Sequence, residues 1–171
     1  MSELLTPSTQ AIAAETIAAL RDCAQSVGTA ESLTAGLCAA ALTTIPGASA
    51  VVRGGLIVYA TALKASLAGV PEDVLSQYGP VSEPTARYLG AGAMQRTGSD
   101  WGVGLTGVAG PGSQDGHPPG TVYVAVHGAG STVIELLRCH GDRGEIRDQA
   151  VAGALRLLLR RLREHHGPVL R

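Results

Sequence analysis

The sequence predicts a three-layer α/β/α sandwich on a mixed, mostly parallel sheet of about five strands, and three observations carry that expectation. Segments of helical periodicity alternate with three strand-like runs as far as Thr106. Two more strand-like runs follow at residues 121–126 and 132–139, joined by His127-Gly128-Ala129-Gly130 as an antiparallel hairpin. The chain's 171 residues, 45% apolar and 16% charged, suit one domain over 1–171. At that size about 70% of the unfolded chain's surface becomes buried, which supports a core without disulfides or metals.

In chain order, a first helix is expected over residues 8–25, opened by Thr6-Pro7 and carrying Ile12, Ile17, Ala18 and Leu20 near helical spacing. A short strand at 27–30 leads into Glu31-Ser32-Leu33-Thr34, then a helix of small residues over 35–44 that ends before Pro46-Gly47. The strand at 53–59 holds the unbroken apolar run Leu56-Ile57-Val58-Tyr59, the pattern of a strand buried on both faces. Lys64 falls in a short helical segment behind it. Pro71-Glu72-Asp73 starts another helical turn, and Ser82-Glu83-Pro84 caps a longer helix to about residue 96. The third strand covers 101–106. The loop at 107–120 is too rich in Gly and Pro for regular structure and long enough to serve a function. A last helix over 144–165 has Val151, Leu155, Leu158 and Leu162 as its core stripe.

Composition argues against several functions. A net charge of −1 offers no basic excess for direct nucleic-acid binding. No apolar run approaches the ~18 residues of a membrane span, and Met1-Ser2-Glu3 lacks the basic start of a signal peptide. Cys23, Cys38 and Cys139 are odd in number and lack C-x-x-C spacing, so they read as reduced thiols of a cytoplasmic protein. His117, His127 and His140 are scattered at turns and His165-His166 sits near the chain's end, so no metal site is expected. Gly102-Val103-Gly104-Leu105-Thr106-Gly107 matches the dinucleotide-binding G-x-G-x-x-G in letters only. Its glycines sit in a strand, and no helix opens behind them.

The candidate chemistry starts from an imbalance: twelve Arg stand against a single Lys, Lys64. Arg keeps its proton in a protein and Lys can lose it, which marks Lys64 as a candidate base. Ser32 follows the first strand, Tyr59 ends the second and Thr106 ends the third. If these strands are parallel, all three residues project from one sheet edge, where ligands bind in open α/β folds. Lys64, five residues past Tyr59, reaches the same edge. A desolvated Lys64 that takes the Ser32 proton, with Tyr59 as relay, suits acyl transfer. The helix opening at Thr34-Ala35-Gly36 points backbone N–H groups at the same place, as an oxyanion hole requires. Ser32 read alone is an ordinary N-cap, the commonest role of a Ser before a helix, and the functional reading rests on the trio. Arg143 and Arg147 lie in the first turn of the last helix, where the macrodipole disfavours cations. Either Asp142, Glu145 and Asp148 neutralise them, or the pair forms a phosphate or carboxylate site with the helix N–H groups.

These residues also carry a resemblance. Thr29-Ala30-Glu31-Ser32-Leu33-Thr34-Ala35-Gly36 is similar to the T-A-E-S-C/L-T-G-G motif of the CinA C-terminal domain, the nicotinamide-nucleotide amidohydrolase family. The similarity continues through Arg53-Gly54-Gly55, Val58-Tyr59-Ala60-Thr61 to Lys64, Gly79-Pro80-Val81-Ser82-Glu83, Thr106-Gly107-Val108-Ala109-Gly110-Pro111 and Gly141-Asp142-Arg143, over about residues 8–163. The resemblance implies an anticodon-binding-domain-like fold and metal-free, cofactor-free hydrolysis of a pyridine nucleotide. Nicotinamide mononucleotide would give nicotinic acid mononucleotide and ammonia, or a catalytically silent relative would keep the pocket as a nucleotide-binding module. It implies Ser32 as nucleophile, Lys64 as base and Tyr59 as its partner. Thr34, Ala35, Gly36, Thr61, Thr106, Gly107 and Gly110 would serve the oxyanion and substrate, and Arg143 or Arg147 the phosphate. It also implies a homo-oligomer, while the net charge and the lack of a long apolar run argue for no direct nucleic-acid or membrane partner. Ala35 stands where members often have Gly, and Thr61 where many have Asn.

Overall fold

The computed structural model of the protein describes residues 4–166. Met1-Ser2-Glu3, which entered the signal-peptide argument, lie outside the described residues. The elements run α1 (Pro7–Asp22), β1 (Val27–Glu31), α2 (Leu37–Thr43), β2 (Val52–Ile57), α3 (Thr61–Ser66), α4 (Glu72–Tyr78), α5 (Glu83–Thr97), β3 (Trp101–Gly107), β4 (Thr121–Gly128), β5 (Ser131–Arg138) and α6 (Arg143–His166).

The five strands form one sheet in the order β2-β1-β3-β4-β5. β1 pairs in parallel with β2 and with β3, whereas β3–β4 and β4–β5 are antiparallel. Four strands therefore point one way and β4 opposes them. This is the mixed α/β sandwich that the alternation of helices and strands predicts. On one face α1, α2 and α6 enclose the larger core, with Ile17, Leu42, Val103, Leu155 and Leu158 fully buried in it. On the other face α5 closes a smaller cluster of Ala30, Val58, Ala68, Val70, Leu89 and Ala93.

Local chemistry sets the element ends. Thr6 caps α1 by accepting from Thr9 N–H, and its own N–H and hydroxyl donate to Asp148 on α6, which ties the starts of the two helices together. Ser82 caps α5 in the same way through Thr85 N–H. α1 stops at Asp22, short of the expected residue 25, because Ala24 turns left-handed at φ +52°. α2 begins two residues later than expected, since Ala35 (φ +49°) and Gly36 (φ +96°) are left-handed and shape 33–36 as a turn.

One expectation fails outright. The run Leu56–Tyr59 is not buried on both faces: β2 is an edge strand, and Ile57 and Tyr59 are 52% and 57% exposed. The apolar run reflects the buried Val58 and the partly buried Leu56, which packs on the smaller cluster, alternating with Ile57 and Tyr59 that face outward.

The G-x-G letters in β3 have a packing cause. α5 lies so close to β3 that a Cβ on Gly102 would stand 2.0 Å from Gly90 O, and one on Gly104 would stand 2.5 Å from Gly90 N. The glycines admit the helix backbone, and α5 in turn holds the sheet end at which β1 and β3 stop. Gly104→Ala is therefore expected to lower stability by about 1–3 kcal/mol through overpacking, read as a reduced urea midpoint at unchanged m-value.

Candidate active site

The parallel strands β1, β2 and β3 end on one side of the sheet. Ser32, Tyr59 and Thr106 stand there together, lining a cleft of about 280 Å³ with Lys64, Pro80, Val81, the 107–110 stretch, Gln114 and Arg143. The expected convergence of strand ends is thus present. Among the described residues, no carboxylate lines this cleft, and its cationic side chains are Lys64 and Arg143.

Lys64 lies at the bottom. It is the one buried residue of α3 and only 2% exposed, so this six-residue helix buries its lysine and nothing else. Its Nζ stands 3.0 Å from Ser32 Oγ and 3.0 Å from Val58 O, the carbonyl at the end of β2. Burial without an acidic partner pushes its pKa down to about 8. About a tenth of such amines are neutral at pH 7 and about half at pH 8. Ser32 is buried too, and its N–H donates to Leu105 O, which continues the β1–β3 ladder one step beyond the strand.

Glu31, the residue before the nucleophile candidate, is the functional side chain that the sequence reading passed over. It is 1% exposed, and its carboxylate accepts from the N–H groups of Gly36, Cys38 and Ala39 and from the Thr29 hydroxyl. An acidic residue at a buried strand end just before a helix was the available signal, because a helix start attracts a carboxylate. This capping corrects the expected oxyanion hole. Gly36 N–H goes to Glu31, and Ala35 N–H closes the turn on Ser32 O. The turn's remaining donors, Leu33 and Thr34 N–H, have no protein partner among the described residues.

The other expected site residues divide. Thr106 lines the cleft, but its hydroxyl donates to Pro80 O at 2.6 Å, fixing the 80–81 wall. Gly107 and Gly110 line the cleft as expected. Ala35 is exposed and Thr61 borders a separate groove between α3 and α4, so neither lines the cleft. Thr34 is buried away from it, with its hydroxyl unpartnered among the described residues.

Tyr59 is not Lys64's partner: its phenol oxygen accepts from Arg143 Nη2 at 3.1 Å. Neighbouring residues on an extended chain face opposite ways, so Val58 turns inward while Tyr59 turns out. Arg143 also donates to Gly110 O at 2.7 Å, which places it at the cleft mouth. Arg147 does not line the cleft. It donates instead to the carbonyls of Leu33 and Thr34. The N–H groups at the start of α6 are unavailable to an anion, because Asp142 accepts from Gly144 and Glu145 N–H while Glu145 accepts from Asp142 N–H. Among the described residues, no group of three His, Cys, Asp or Glu side chains is placed to hold a metal, and no helix is long and apolar enough to cross a membrane.

A family profile described as the CinA C-terminal domain matches residues 9–162. A CinA-like protein of Frankia casuarinae is 47% identical over 133 residues, which cover 78% of this chain and 31% of that protein. One from Mycobacterium marinum is 45% identical over 140 residues, covering 81% and 33%. The chain thus spans about a third of the length of these curated relatives. Among solved structures, competence/damage inducible protein CihA from Agrobacterium tumefaciens superposes with a TM-score of 0.87 at 35% identity, over 94% of this chain and 98% of that one. A CinA superfamily protein from Klebsiella pneumoniae gives 0.88 at 29% identity, over 91% and 98%.

Burying Lys64 ties stability to pH. Its folded pKa of about 8 lies below the ordinary value of 10.5, so between these values the unfolded chain binds the extra proton and stability rises with pH. Urea melts are expected to show a gain of up to about 3 kcal/mol across that window, absent in Lys64→Met. Glu31→Ala strands the N–H groups at the start of α2 and is expected to cost about 2–4 kcal/mol in the same assay.

Proposed function

The chain belongs to the CinA C-terminal domain family, and from that premise we propose that it hydrolyses the carboxamide of nicotinamide mononucleotide, giving nicotinic acid mononucleotide and ammonia. The observation that carries this reading is the buried 3.0 Å contact between Ser32 Oγ and an amine whose pKa is lowered to about 8. A serine hydroxyl needs an adjacent base to attack an amide, and a desolvated lysine is such a base at neutral pH.

Neutral Lys64 accepts the Ser32 proton as Oγ bonds to the carboxamide carbon. Negative charge develops on the carbonyl oxygen, and the N–H of Leu33, which lines the cleft, receives it. Lys64 then returns the proton to the amide nitrogen, the C–N bond breaks and ammonia leaves. Water enters, loses a proton to Lys64 and attacks the ester carbon. Ser32 Oγ departs, recovering a proton from Lys64, and the product is the carboxylate.

The cleft mouth supports a ligand that carries an anion at the end remote from its amide. Arg143 is exposed there, with part of its guanidinium held by Gly110 O and Tyr59 and no carboxylate in the cleft lining to neutralise it. A phosphate is a good match for such a fork. Tyr59 then acts by orienting Arg143, in place of a proton relay.

Ammonia release from nicotinamide mononucleotide tests the reading. The parent protein is expected to turn over in the presence of chelator, Ser32→Ala to lose at least about 10³-fold in kcat, and Lys64→Arg a similar factor, because Arg keeps the charge and cannot accept the proton. Near-parental turnover in Lys64→Arg refutes the dyad. Mononucleotide binding without ammonia release from the parent would leave a binding module in place of an enzyme. The limb of kcat/KM governed by the base is expected to rise with pH to a midpoint near 8.

A further inference from the structure

We infer that Arg147 is a positioning residue, a guanidinium that fixes the turn presenting Leu33 N–H to the oxyanion without itself touching substrate; the inference rests on the acyl-transfer reading above. Arg143 and Arg147 are four residues apart on α6 and so share a helix face. They nevertheless do different work. Arg143 meets the loop and the phenol at the cleft mouth. Arg147, half-buried, donates from Nε to Leu33 O at 3.1 Å and from Nη2 to Thr34 O at 2.8 Å.

A peptide unit is planar and trans, so a carbonyl fixed in one direction fixes the following N–H in the opposite one. Arg147's hold on Thr34 O therefore sets the direction of Ala35 N–H. The bond from Ala35 N–H to Ser32 O sets Leu33 N–H by the same rule. Glu31 grips the far side of the turn through Gly36 N–H. The nucleophile turn is thus held by a guanidinium on its carbonyls and a carboxylate on its later N–H groups. Of its donors, the one directly after Ser32, Leu33 N–H, lines the cleft and stays unclaimed among the described residues. That is a donor that a tetrahedral intermediate on Ser32 needs. Bridging two successive carbonyls from one side chain is a property of the planar guanidinium fork, which an ammonium does not reproduce.

The test compares the parent, Arg147→Ala and Arg143→Ala in two reactions, with Ser32→Ala as the blank. One is ammonia release from nicotinamide mononucleotide. The other is p-nitrophenolate release from p-nitrophenyl acetate, which carries no phosphate but still forms an oxyanion. Arg147→Ala is expected to slow both, with kcat falling about 10²–10³-fold and the mononucleotide KM moving less than about threefold. Guanidinium, added well below denaturing concentration, is expected to restore part of that loss, and none in Ser32→Ala. Arg143→Ala is expected to raise the mononucleotide KM instead.

A raised KM in Arg147→Ala, with kcat and the ester rate at parental values, overturns the proposal and makes Arg147 a phosphate ligand. If Arg147→Ala does not fold, Arg147→Lys carries the test. It is expected to lose about tenfold or more in both rates at constant KM, and parental rates overturn the proposal. A parent that cleaves the ester through Ser32 and leaves the mononucleotide intact refutes the substrate reading alone. One inert toward both refutes the substrate reading and the positioning role together.

Discussion

The site depends on an amine buried at the bottom of the cleft, with no carboxylate among the described residues beside it. Among the described residues, Lys64 Nζ has only a serine hydroxyl and a backbone carbonyl as partners. A charged ammonium loses more hydration there than those neutral groups return, so the amine gives up its proton more readily than a surface lysine does. The same absence that makes Lys64 costly to bury makes it a base. A carboxylate in contact would recover stability by restoring the charge, and would remove the chemistry.

The architecture around Lys64 keeps both its partners in place. β1 and β3, buried along their whole length, end beside Ser32 and Thr106, and the ladder bond from Ser32 N–H to Leu105 O prevents the nucleophile from drifting. The closely seated α5 sets the spacing on one face. On the other, α6 sends two arginines from its first turns, Arg143 to the cleft mouth and Arg147 to the carbonyls of the turn after Ser32. Most of the polar contacts therefore act on backbone atoms. They fix where peptide groups point, which is what an oxyanion site demands.

Much of this was legible in the residues. Periodicity and turn chemistry located every helix and strand to within a few positions, and the placing of Ser32, Tyr59 and Thr106 at strand ends marked the correct sheet edge. The lone lysine drew attention for a sound reason, since no other side chain in an Arg-rich chain can act as a neutral amine. Three things were not legible. β2 was expected to be buried on both faces because an apolar run does not reveal strand order, and an edge position exposes half of it. Tyr59 was assigned to Lys64 from proximity in sequence, whereas side-chain parity sends the two residues to different neighbours. The helix N–H groups were expected to face the cleft, but capping by Glu31 and Asp142 is a three-dimensional competition that spacing alone leaves open. Asp142 and Glu145 do carry the spacing of a capping box, and that signal favoured neutralisation over an anion site at the start of α6.

The single lysine makes the central claim directly measurable. Labelling the protein with ¹³C,¹⁵N-lysine gives one side-chain signal, that of Lys64, whose chemical shift can be followed from pH 6 to 11 in the folded protein. A midpoint near 8 is the predicted result. A midpoint at the ordinary lysine value of 10.5 would mean that the amine stays charged through neutral pH, and would contradict its role as the base for Ser32.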